Sequence, residues 1–435
     1  MRRIVVALSG IAALGLVAAA SSPIPTVALR AAADEPQLFS SPVRQFASSP
    51  APEGSAEPRL TVARNGRVLL SWLAPVSAPA AVAGQKPGTG YAFQFSELTG
   101  ERWSSPRTIT EGPALLANWA DFPSLFVTRN DVLAAHWLER RGQSRTAYDV
   151  KLRTSRDGGR TWTSEATPHR DGTETEHGFV SFFETPGKGH GLGMVWLDGR
   201  EMAGHGAHGE GGGQMTLRSA MVSAQGMVGA EAVVDPRVCD CCQTAAATTD
   251  TGVLIAYRDR SDKEVRDIYV SRFENGQWSA GSRVHEDNWE INGCPVNGPA
   301  IAAKGQRVAV AWFVAKDNAP KTQLAFSKDG GRSFGRPVRI DSGTTLGRVG
   351  LTLLADGRAL VSWIDGTGAT AKFMVRDVSS DGTMGAPVTV GPIGSERTSG
   401  FPQVALSGRK VVVAWTNVVK GAPTGIFLAA ATLSR

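Results

Sequence analysis

The stretch "GPAIAAKGQRVAVAWFV" (298–314) holds two runs of alternating apolar residues around Lys304-Gly305-Gln306, and the second run ends in Ala311-Trp312. Alternation with period two marks a strand with one buried face, and a Gly-centred turn between two such runs marks an antiparallel hairpin. The same unit recurs as "RLTVARNGRVLLSWLA" (59–74), "FPSLFVTRNDVLAAHWLE" (122–139), "FVSFFETPGKGHGLGMVWLD" (179–198), "TAAATTDTGVLIAYRD" (244–259), "GLTLLADGRALVSWID" (350–365) and "FPQVALSGRKVVVAWTN" (401–417). Its anchor aromatics are Trp72, Trp137, Trp196, Tyr257, Trp312, Trp363 and Trp415, spaced 51 to 65 residues apart. Repetition at such a period marks an array in which each unit buries its face against the next.

A second hairpin follows nearly every unit, as in "YDVKLRTSRDGGRTWTSEA" and "TQLAFSKDGGRSFGRPVRI". Four antiparallel strands per unit make the blade of a β-propeller. The seventh unit stops after a third strand, "GIFLAAATL" (425–433), whereas "QLFSSPVRQF" (37–46) resembles the outer strands of other units. An N-terminal strand completing the last blade closes the ring without a free sheet edge. The expected fold is all-β: a seven-bladed β-propeller of four-stranded antiparallel blades spanning 34–435, with six blades as the alternative count.

Residues 1–33 read as a signal peptide and short leader. Arg2 and Arg3 precede an apolar run over 4–20, and small residues at Ala20-Ser21 and Ala31-Ala32-Ala33 offer cleavage sites. The expectation is a periplasmic or secreted monomer with no stable membrane anchor. The formal charge of +6 falls to +4 without Arg2 and Arg3, too small a surplus to suit nucleic acid.

Two hairpins carry Ser155-Arg-Asp157-Gly-Gly159-Arg-Thr161-Trp162 and Ser327-Lys-Asp329-Gly-Gly331-Arg-Ser333-Phe334. They resemble the Asp-box turns of bacterial neuraminidase (BNR) repeats, and the mature chain resembles a sialidase-like propeller. The resemblance implies that these turns lie on the rim opposite the ligand face. It also implies that any enzyme here is an exo-glycosidase. An early Arg-Ile-Pro element is missing from the sequence, and the four tyrosines fall at strand or core positions.

In a propeller, the loops joining strands 2 and 3 share a face with the loops that lead into each blade. Two places after the anchor aromatic come Glu139, Asp198, Asp259 and Asp365, accompanied by Arg141, Arg200, Arg258 and Arg260. One reading is a site for a glycan or other polar ligand, with Asp198, Glu201 and Asp259 as acid/base candidates and Arg200, Arg258, Arg260, Glu139 and Asp365 as ligand contacts. The other is that these groups cap strand ends and form ion pairs between blades.

Three of the four cysteines, Cys239, Cys241 and Cys242, fall in the loop leading into blade 4, and Cys294 falls in the loop leading into blade 5. Adjacent blades set these loops side by side. In an exported protein, two disulfides are one expectation. A copper or zinc site that adds His205 and His208 from "MAGHGAHGEGGGQM" (202–215) is another. Three functions therefore remain open: glycan binding or hydrolysis on the ligand face, a metal- or redox-linked centre, and a non-catalytic scaffold for a protein partner.

Overall fold

The computed structural model describes residues 37–77, 89–142, 146–187, 190–204, 213–366, 371–418 and 424–434. The signal-like segment, His205 and His208 lie outside the described residues. Seven antiparallel sheets follow one another along the chain and form a seven-bladed β-propeller. Blade 1 runs Ala56–Val62, Val68–Ser77, Thr89–Thr99 and Arg107–Gly112. The first strands of blades 2 to 7 are Ser124–Val127, His177–Glu184, Ala245–Thr248, Ala300–Lys304, Thr345–Leu353 and Gln403–Ser407. Blade 2 has three ladder strands, its fourth position held by a bridge between Leu152 and Ala166.

The ring closes as the repeat demands. In blade 7, Arg44–Gln45 adds outside Gly425–Thr432, with Arg44 opposite Ala430 and Phe39 bridging Leu433. Six blades cannot account for this pairing, because the N-terminal strand fills the vacancy of a seventh sheet.

Between each pair of blades lies one apolar layer, and the anchor aromatic sits in it. Leu69, Phe93 and Phe95 of blade 1 pack with Leu125, Leu133 and Trp137 of blade 2. The last layer joins Leu70 and Trp72 to Ala414, Ile426 and Leu428, so blade 7 meets blade 1 as any neighbours meet. All six anchor tryptophans and Tyr257 are at most 1% exposed. Flat rings fill the wedge between twisted sheets, and each truncation to Ala would cost about 3–5 kcal/mol.

The two faces of the ring differ. On one, the Ser155–Trp162 turn is tied by its own side chains. Asp157 Oδ1 accepts the Arg160 and Thr161 amides at 2.9 and 3.0 Å, and Ser155 Oγ accepts the Gly159 amide at 2.8 Å. Trp162 then meets Phe95 of the preceding blade edge-on at 6.3 Å. The Ser327–Phe334 turn repeats these bonds through Asp329. On the opposite face the loops leading into the blades converge on the central channel.

Candidate functional site

Each loop leading into a blade must turn from the outer edge of one sheet into the innermost strand of the next. At the entries to blades 1, 3, 5, 6 and 7 the backbone uses a positive-φ residue: Glu57 (φ 59°), Phe179 (φ 52°), Val296 (φ 46°), Arg348 (φ 53°) and Gly400 (φ 60°). For a side-chain-bearing residue this costs roughly 1–2 kcal/mol, and in blades 1, 3 and 6 it lies within a bulge. The strained turns are held by a polar belt around the channel mouth. Asp121 Oδ1 accepts the Phe179 amide at 2.7 Å, and Asn297 Oδ1 accepts the Arg348 amide at 2.7 Å. Gln243 donates to the Ala120 carbonyl and accepts the Gly298 amide at 3.0 Å.

One part of the belt is acidic. The Tyr148 hydroxyl lies 2.5 Å from Glu176 Oε1 and 2.9 Å from Asp121 Oδ2. One hydroxyl proton cannot serve two carboxylates, so at least one of the two acids is protonated. Burial is the main cause: it pushes Asp121 up to about 8 and Glu176 up to about 7. Glu57 is also raised, by burial and then by Asp121, and its Oε2 has no partner. The Tyr148 phenol is raised well above its ordinary value, again by burial first, and stays a donor. Gly178 permits this approach, since a Cβ there would overlap the Asp121 carboxyl.

Beside the acids, the same loop that carries Asp121 presents Trp119. Its indole stacks on Phe401 at 6.2 Å, with the Arg348 guanidinium 5.0 Å and the Arg397 guanidinium 5.9 Å from the ring centre. Trp119, Arg348 and Arg397 line a pocket of about 510 Å³ with Cys294, Asn297 and Phe313. Arg397 is exposed, whereas Arg348 is buried and donates to the carbonyls of Glu396 and Gly400.

The residues chosen from sequence are placed as follows. Asp198 is fully buried; it accepts the Trp196 indole at 2.7 Å and pairs with Arg200 at 2.7 Å. Arg200 also reaches Glu231 at 2.6 Å. Glu139 accepts the Trp137 indole at 2.9 Å in the same i, i+2 arrangement. In blade 6 the equivalent bond is not made, for the Trp363 indole and Asp365 Oδ1 both lack partners. Glu201 points outward, 54% exposed. Arg258 is buried against Trp289 and donates to the carbonyls of Asn297, Arg266 and Phe313, tying the loop that leads into blade 5. Arg260 pairs with Asp240 at 3.0 Å and Glu264 at 2.8 Å. Asp259 is pushed up to about 7, by burial first and then by Asp235.

The four cysteines do come together. The sulfur atoms of Cys239, Cys241 and Cys242 lie within 4.8 Å of one another, and the Cys241 thiol interacts with Cys294. The Arg266 guanidinium donates to Cys239 Sγ at 3.4 Å.

Sequence reasoning missed Asp121, Tyr148, Glu176, Trp119, Arg348 and Arg397, because a carboxyl just before a first strand gives no periodic signal. It also missed a buried pair, His169 and His177, whose rings stack at 3.7 Å between Asp149, Asp171 and Asp198. Burial, and next the neighbouring His177, lowers His169 to about 4. The one available clue was the repeat itself, since Asp121-Phe-Pro aligns with Asn297-Gly-Pro and Gly400-Phe-Pro.

No protein-family profile and no curated protein matches the sequence. Solved structures do. A protein of unknown function from Dyadobacter fermentans superposes with a TM-score of 0.51 at 13% identity, covering 87% of this chain and 95% of that one. A NanB sialidase variant from Streptococcus pneumoniae gives 0.44 at 10% identity over 90% and 95%, and a phage phi92 endosialidase gives 0.48 at 10% over 91% and 70%. At such identities the likeness concerns fold, and the chemistry must come from this chain's own residues.

Proposed function

We propose that the chain binds an acidic glycan at the channel mouth, in the pocket formed by Trp119, Arg348 and Arg397. The observation that carries this reading is the indole flanked by two guanidiniums at 5.0 and 5.9 Å in an open pocket of about 510 Å³. The exposed Arg397 guanidinium suits a sugar carboxylate, and the half-buried indole adds apolar surface beside it. Two of the acids assigned from sequence are occupied elsewhere: Asp198 by Trp196 and Arg200, and Glu139 by Trp137. The sequence features of residues 1–33 support an exported protein, which N-terminal sequencing of the mature chain would test.

Calorimetry with sialylated and uronic-acid oligosaccharides, with neutral ones as controls, checks the binding. Arg397→Ala and Trp119→Ala are each expected to weaken it on the order of tenfold, about 1.4 kcal/mol. Equal binding of neutral and acidic sugars, or no loss in either variant, would defeat the proposal.

One observation favours hydrolysis as a second reading. Burial raises Asp121 to about 8 and Glu176 to about 7, into the range that suits a general acid near neutral pH. Turnover of aryl sialosides that disappears in Glu176→Gln supports it, and turnover unchanged in that variant rejects it.

A further inference from the structure

We infer that Cys239, Cys241, Cys242 and Cys294 together hold one thiophilic d10 metal ion, Zn(II) or Cu(I), at the junction of the loops leading into blades 4 and 5. All four cysteines of the chain meet here, although 52 residues separate Cys242 from Cys294. Three sulfurs lie within 4.8 Å of one another, with Cys239 and Cys242 only 3.1 Å apart, and Cys294 engages Cys241. A tetrahedral thiolate site with metal–sulfur bonds of about 2.3 Å needs sulfurs about 3.8 Å apart. The free Cys239 and Cys242 thiols, at 3.1 Å, would open slightly on ligation, and Cys294 would move in from its contact with Cys241 to complete the set.

The surroundings suit thiolates. Arg266, only 3% exposed at its side chain, directs one guanidinium nitrogen at Cys239 Sγ (3.4 Å) and another at Glu264 (2.8 Å). Arg258 is buried close by and holds the Asn297 carbonyl three residues beyond Cys294. Two positive charges under a group of sulfurs offset the negative charge that ligation leaves, since each ligating thiol releases its proton to solvent. Cys239 and Cys242 are buried at 1% and 2%, whereas Cys241 and Cys294 are partly exposed, so the ion has a route in from the ligand face. Soft sulfur donors select d10 ions over magnesium or calcium.

The test uses the full chain, reduced and handled without oxygen, with no glycan present so that this site and the sugar pocket succeed or fail separately. Co(II), Zn(II) and Cu(I) are added as separate probes. One equivalent of Co(II) is expected to give the intense visible bands of a tetrahedral thiolate complex, displaced by Zn(II) or by Cu(I). Competition between those two identifies the native ion. Cys294→Ser and Cys241→Ser, checked for folding by circular dichroism, should each weaken uptake by on the order of 100-fold or more, at or beyond the upper end of what outer-shell changes cost. The inference falls if the reduced protein takes up none of the three ions, or if Cys294→Ser binds with unchanged stoichiometry and spectrum. It also falls if alkylation mapping finds two disulfides that, once reduced, still give no metal binding.

Discussion

Asp121 and Asp157 are the same side chain on opposite faces of the ring, and the fold has pushed them apart. Asp157 lies in a surface turn, where hydroxyls and amides of its own segment donate to both oxygens. Its carboxyl falls well below the ordinary range, with the Thr161 hydroxyl the leading cause. Asp121 is buried at the channel mouth among other acids, and burial lifts it to about 8. The first is stabilised by residues within four positions. The second is held by Phe179 and Tyr148, 58 and 27 residues away. A carboxyl that serves a turn stays charged, and one that belongs to a site is held near neutrality.

Three substitutions probe this contrast. The largest effect should come from neither face but from the layer between them. Trp196→Ala is expected to cost about 3–5 kcal/mol in urea unfolding and to leave Asp198 without its indole donor. A loss below ~1 kcal/mol would show that the blades do not depend on their anchor rings. Next comes Asp121→Asn. The unfolded Asp loses its proton near pH ~4, whereas the folded one keeps it to about 8, so wild-type stability should fall as pH rises through that window. The Asn variant keeps the Phe179 bond, as Asn297 does for Arg348, and should show a flatter profile and a higher melting temperature at pH 8.5. Parallel melting profiles for the two proteins would refute the assignment. Smallest is Asp157→Ala, with a slight loss of stability that is full above pH ~4 and shrinks as pH falls toward the depressed folded value, because the group stabilises the fold while ionised. Equal losses at acid and neutral pH would mean that the turn depends on shape rather than charge.

The propeller was legible because its cause is periodic. Trp312 recurs as Trp72, Trp137 and Trp363 at a spacing set by four strands, and alternating residues reveal each strand without reference to any other. The N-terminal closure was legible from the missing strand after Gly425–Thr432 and the outer-strand likeness of 37–46. The convergence of the cysteines followed from the topology alone. The partners of Asp198 and Glu139 did not, since nothing in "WLDGRE" says that the acid turns back to the indole two residues earlier.

The sequence by itself determined the number of sheets, their order and which loops share a face, because these follow from patterns repeated within each unit. Only the tertiary structure decided that Asp121, Tyr148 and Glu176 meet, that Trp119 lies under Arg348 and Arg397, and that Arg266 faces Cys239. Those encounters join residues from different blades across a curved ring. Their distances depend on sheet twist and layer thickness, quantities to which every packed side chain contributes and which no single segment encodes.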